Sequence, residues 1–105
     1  MPRKKILKNK VYVELYISDK PQKKYMVLFK RNKKEFRRSY FGAEGYEDYT
    51  THQDEERKNN YLARHKTNEN WYNPYSPGAL SRWILWNKPT LKSSWLDFKK
   101  RFKYN

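Results

Sequence analysis

Two sets of residues in this sequence have types and spacings that can do chemistry. The first is a run of cations set among aromatic rings. Lys24, Lys30, Arg31, Lys33, Lys34, Arg37 and Arg38 are interleaved with Tyr25, followed by Tyr40 and preceded by Tyr12 and Tyr16. Ammonium and guanidinium groups neutralise phosphates and release their condensed counterions, and neighbouring rings can stack on exposed bases. Arg3, Lys4 and Lys5 near the start and Lys99, Lys100 and Arg101 near the end extend the same chemistry. Together these cations form the expected nucleic-acid-binding set, with Tyr12, Tyr16, Tyr25 and Tyr40 as candidate stacking rings. The plainer reading of the same pattern is a solvated sheet surface whose lysines guard an edge strand.

The second set is His52 and His65, close in sequence to Asp48, Asp54 and Glu56. Histidine with carboxylate would suit a metal-dependent nuclease. The two histidines are 13 positions apart, about 20 Å along a continuous helix, so one ion does not join them. A favourable helix-end His65 and an ordinary loop His52 are the simpler expectation. The chain has no cysteine nucleophile, and Gly42-Ala43-Glu44-Gly45 is too short and too acidic for a phosphate-cradling loop. No Ser, His and acid fall in a recognisable triad spacing. The expectation is therefore no catalytic residue, no metal, no cofactor and no enzymatic activity.

These residues need a scaffold. At 105 residues the chain is the size of one domain. Residues 1–10 read as a basic arm and 11–105 as a single domain. The arm suits a groove or phosphate backbone, an acidic capsid surface, or a plain disordered tail equally. The absence of cysteine excludes disulfides and thiolate zinc sites. Met1 to Lys8 has charge without an apolar core behind it, so it does not read as a signal peptide; a reducing compartment is expected. Low hydrophobic content favours disorder, but 18% aromatic residues supply large rings that can close a small core.

The net charge of +14 is zoned: residues 1–38 carry +11, residues 44–56 carry −6, and residues 57–105 carry +9. An acidic segment between basic ones suggests a folded body with polarised faces.

The pattern Val11-Tyr12-Val13-Glu14-Leu15-Tyr16-Ile17 alternates with period two and predicts a half-buried strand. Ser18 to Gln22 is turn chemistry, Tyr25–Phe29 a second strand, Arg31–Lys34 a polar connection and Phe36–Phe41 a third strand. Short links favour an antiparallel meander, closed by Gly42 and Gly45. A helix is expected over about 52–66, started by Thr51 with Asp54 as its capping-box partner. Ser76-Pro77 opens a short apolar helix through Leu80, Trp83 and Ile84. Thr90 caps a last helix with Leu91, Trp95, Phe98 and Phe102 on one face. The fold class predicted is α+β: a three-stranded antiparallel meander followed by two or three short helices. The basic last helix spends its apolar face on the core, so no membrane binding is expected.

The order Lys23–Val27, Phe41-Gly42-Ala43-Glu44-Gly45-Tyr46-Glu47-Asp48-Tyr49-Thr50, Asp54–Lys58, Tyr61, Arg64-His65-Lys66, Glu69-Asn70-Trp71, Ser81–Leu91 and Lys100-Arg101-Phe102 resembles a family of small basic proteins encoded by large nucleocytoplasmic DNA viruses. The resemblance runs from about residue 11 onward. It implies a viral origin and a virion or replication role, located in the virion or in the host cytoplasm or nucleus, and it carries over no catalytic residue. A separate likeness is one of layout alone: small plant and phage DNA-binding domains also place three antiparallel strands before a helix and lay the sheet in the major groove. The leading expectation is a non-enzymatic, virion-associated protein that binds nucleic acid, double-stranded DNA in the first place, through phosphate contacts. The alternative is a minor capsid or other virion structural protein whose basic surface and tryptophans meet acidic capsid proteins.

Overall fold

The computed structural model describes residues 10–105. Arg3, Lys4 and Lys5, and most of the expected arm, lie outside the described residues. The chain runs through strands β1 (Val11–Ile17), β2 (Lys23–Arg31) and β3 (Lys34–Ala43). Helices α1 (Tyr49–His52), α2 (Glu55–His65) and α3 (Pro77–Leu80) follow, then a π-helical segment (Ser81–Leu85) and helix α4 (Leu91–Arg101). The sheet order is β1-β2-β3, both pairings antiparallel. This is the α+β meander-then-helices class the sequence predicts.

Period two decides the faces. Val13 pairs with Phe29, Leu15 with Val27, Val27 with Ser39 and Tyr25 with Phe41, so these residues share one side. Ala79, Leu80, Trp83, Ile84, Leu85 and Phe98 close over that side and complete the core. Ser39 is the buried polar residue among them, and its hydroxyl donates to Tyr75 O at 2.7 Å. In α4, Phe98 sits among Trp95, Phe102 and Tyr104 at centroid distances of 5.5, 5.2 and 5.8 Å. Tyr104 also meets Phe29 at 5.9 Å. Beside β1, Asn105 donates to Val11 O at 3.0 Å and accepts from Val13 N at 2.9 Å, covering part of that strand's open edge.

The strands are longer than expected, because the β2–β3 connection is only Asn32-Lys33. Both residues are left-handed, with φ of 54° and 66°, the geometry that matches the twist of a two-residue hairpin. Residues 52–66 are not one helix. Asp48 accepts from Thr50 N and donates its own N–H to Thr51 Oγ1, capping α1. Gln53 then turns left-handed at φ 55°, and Asp54 starts α2 by accepting from Glu56 N and Arg57 N. Thr51 is therefore the third residue of a capping box, not its start, and Asp54 is a cap in its own right. Two cap signals six residues apart yield two helices rather than one.

The apolar helix begins as expected, with Ser76 Oγ accepting from Ala79 N and Pro77 at its first position. Beyond Leu80 it widens: Trp86 N donates to Ser81 O at 3.0 Å, five residues back. Thr90 caps α4 on Ser93 N. The stretch Trp86–Leu91 is held by side-chain hydrogen bonds. Buried Asn87 donates to Trp83 O and to Asp97, Ser94 Oγ joins Lys88 N and Lys88 O, and Lys58 Nζ donates to Asn87 O at 2.7 Å. Burial pushes the Lys58 ammonium below its usual pKa.

Candidate nucleic-acid interface

The hairpin end is built from like charges. The register sets Arg31 directly opposite Lys34, a cross-strand placement that destabilises a sheet. Lys33 occupies the second turn position, where glycine is the usual residue. Arg37 lies opposite Phe29, the last pair before the register shifts, and its guanidinium lies 4.8 Å from the Tyr75 ring. Arg31 lies 4.6 Å from the ring of Phe36, itself 42% exposed. Arg31, Lys33, Lys34 and Arg37 take no part in the ion pairs found among the described residues. The last turn of α4, with Lys99 and Lys100, adjoins this end through Tyr104, whose ring rests on Phe29. Burial pushes the Tyr104 phenol above its ordinary range.

The outer face of the sheet is different. Tyr12 pairs with Lys30, Glu14 with Leu28, Leu28 with Arg38 and Met26 with Tyr40. Lys30 Nζ sits 3.0 Å from Glu14, and Arg38 sits 2.8 Å from Glu35 and 3.6 Å from Asp19. Hydrogen bonds from Lys30 and Arg38 hold Glu14 and Glu35 below their usual pKa, so both carboxylates are charged at neutral pH. A phosphate approaching Lys30 or Arg38 meets the negative charge already paired there.

The expected site residues thus divide. Arg31, Lys33, Lys34 and Arg37 share the hairpin end, while Lys99 and Lys100 lie in the last turn of α4. Lys24, Lys30, Arg38 and Arg101 do not join them as free cations. Lys24 is 2.7 Å from buried Asp48. Arg101 pairs with Asp97 at 3.2 Å and lies 3.8 Å from the Trp83 ring. Tyr12 and Tyr16 are exposed, at 50% and 45%, and Tyr16 donates to Glu14. Tyr40 donates to Asp19 while Lys20 lies 4.2 Å from its ring. Tyr25 lies on the core side of the sheet, partly buried and 5.9 Å from Phe41, because it shares the period of Val27 and Phe29.

Sequence reading missed Phe36 and Tyr75, the rings on which Arg31 and Arg37 rest. Phe36 between Glu35 and Arg37 was the available signal. Trp83 is buried, and Trp71, Trp86 and Trp95 are partly buried against the core. His52 and His65 share an aromatic column, His65 on Tyr61 at 4.1 Å, Tyr61 on Trp86 at 4.1 Å and Trp86 on His52 at 5.4 Å. No group of three metal-ligating side chains occurs among the described residues, and no described helix is long and apolar enough to cross a membrane.

A family of unknown function, DUF5754, matches residues 13–65, half of the chain, from β1 to the end of α2. No curated protein and no solved structure matches the chain.

Proposed function

We propose that this chain, which belongs to the DUF5754 family of unknown function, is a non-enzymatic nucleic-acid-binding protein that grips phosphates with the hairpin end of its sheet. The observation that carries this reading is Arg31 opposite Lys34, beside Lys33 and Arg37, without carboxylate partners among the described ion pairs. A protein gains no stability by placing like charges across a strand pair; a polyanion relieves the repulsion. Duplex DNA is the favoured partner, and no sequence specificity is part of the proposal. Lys99 and Lys100 add contacts at the adjoining turn, and Arg3, Lys4 and Lys5 extend the same chemistry in sequence. The resemblance to a viral family supports a setting in the virion, or in the host cytoplasm or nucleus during infection.

The test is titration of labelled duplex DNA at rising salt. The four hairpin cations contribute about −3 to −4 to the log–log slope, and each further contact steepens it. Affinity that is absent, or indifferent to salt, overturns the proposal. A second reading, in which the same end docks on an acidic capsid or other virion protein, is favoured by the exposed ring of Phe36 at the centre of the cations. Co-fractionation with a DNA-free shell after nuclease treatment of virions would select it.

A further inference from the structure

A second site lies at the other end of the β2–β3 ladder. There a cleft of about 590 Å³ opens between the end of the sheet, α2 and the π-helical segment. That is within the size range of small-molecule sites. Its walls carry Lys23, Arg57, Arg64, Tyr61, Ser81 and Trp86, together with three carboxylates.

The carboxylates are already engaged. Asp48 accepts from Lys24 Nζ and Thr50 N. Glu69 accepts from Trp71 Nε1 at 2.9 Å and meets His65 Nδ1 at 3.0 Å; it is also packed so tightly that a Cβ on Gly78 would fall 2.8 Å from its Cδ. Glu47 takes Arg57 in an exposed pair. Lys23 and Arg64 have no partner among the ion pairs of the described residues. The unmet charge in the cleft is therefore positive, and the occupant that answers it is an anion.

The rest of the lining speaks to the anion's body. Tyr61 is fixed between His65 and Trp86, and burial raises its phenol to about 12, so it remains a neutral hydrogen-bond donor. The π-helical turn brings Ser81 and Trp86 to the same wall, and such turns concentrate at functional sites. Gly42, left-handed at φ 82° with Leu85 3.0 Å from where its Cβ would lie, keeps the sheet side low.

We propose that this cleft binds a phosphomonoester on a nucleoside-sized body, with Lys23 and Arg64 on the phosphate and Ser81, Tyr61 and Trp86 against the remainder. The site is separate from the hairpin end and does not depend on it. The same chemistry is offered by a free nucleoside monophosphate and by the 5′-phosphorylated end of a strand.

The experiment is amide-resolved NMR titration of the full chain with adenosine 5′-monophosphate, adenosine, inorganic phosphate, and short oligonucleotides with and without a 5′-phosphate. Saturable shifts are expected at Lys23, Arg64, Ser81 and Trp86 with the monophosphate, weaker ones with phosphate and none with adenosine. The double variant K23Q/R64Q, two exposed side chains, should weaken monophosphate binding by at least about tenfold, the loss of one charge-assisted contact or more. The variant K33Q/K34Q should leave it unchanged, which separates this site from the hairpin proposal. A preference for the phosphorylated oligonucleotide over the free monophosphate assigns the source to strand ends, and the reverse assigns it to the free nucleotide. No saturation up to about 10 mM, a range where even binding of about −3 kcal/mol is visible, overturns the proposal. So does equal binding of adenosine, or of inorganic phosphate as tightly as the nucleotide.

Discussion

The outer face of the sheet and its hairpin end carry the same residue types and differ in what each cation faces. On the face, Lys30 and Arg38 are held by Glu14, Glu35 and Asp19. At the end, Arg31 and Arg37 lie against the rings of Phe36 and Tyr75, Lys33 and Lys34 are exposed, and Arg31 faces Lys34. Residue type does not separate the two regions; the fold pairs the cations of the face with carboxylates and leaves those of the end outside the ion pairs of the described residues. This difference also sets the chain apart from the layout in which a sheet face lies in the major groove, since that face here alternates charge.

The comparison breaks most violently if the scaffold beneath the hairpin end is removed. Phe29 is fully buried and touches Phe36, Tyr75 and Tyr104, so Phe29→Ala should cost about 3–5 kcal/mol in chemical denaturation. Leu28, one residue along and on the outer face, is half-buried, and Leu28→Ala should cost distinctly less. Next in size is the effect on DNA. Replacing Arg31, Lys33, Lys34 and Arg37 together by Ala should flatten the salt dependence of duplex binding by about 3–4 in slope, while K30A/R38A leaves that slope nearly unchanged. An equal loss from K30A/R38A would mean that the face, not the end, is the docking surface.

Lys33→Gly sharpens the comparison by separating stability from affinity. Lys33 sits at φ 66°, where a side chain is strained, so glycine should raise stability by up to about 1 kcal/mol while reducing the DNA salt slope by about 1.

The smallest effect concerns Asp97. Burial raises its carboxyl, but hydrogen bonds from Asn87 and Arg101 outweigh that and leave it below its usual value. A carboxyl depressed by folding contributes stability above its unfolded pKa of about 3.9. That contribution fades as pH falls through the folded value. Melting temperatures of the wild type and D97N should therefore differ most near neutral pH and converge in strong acid.

Much of the scaffold was legible from local signals. Alternation from Val11 to Ile17 gives β1, and Ser76-Pro77 and Thr90 mark helix starts that the structure keeps. Legibility failed where a feature depends on partners far along the chain. That Arg38 would meet Asp19 and Lys30 would meet Glu14 follows from strand register and not from spacing. The break at Gln53 was hidden because Asp48 and Asp54 each cap a separate turn, and either alone suits one helix. The π-helical turn leaves no mark in the periodicity. Tyr25 is the opposite case, since its alternation with Val27 and Phe29 already placed it on the core side.

Asn105 beside Val11 and Val13 ties together segments separated by almost the whole described chain, with Tyr104 wedged on Phe29 just before it. Closing so long a loop is entropically expensive, whereas the meander forms from neighbours in sequence. The closure therefore belongs to the late part of folding. Weakening it, as in Tyr104→Leu, should leave the refolding rate nearly constant and speed unfolding instead, making this contact a latch on the lifetime of the folded state more than a guide to reaching it.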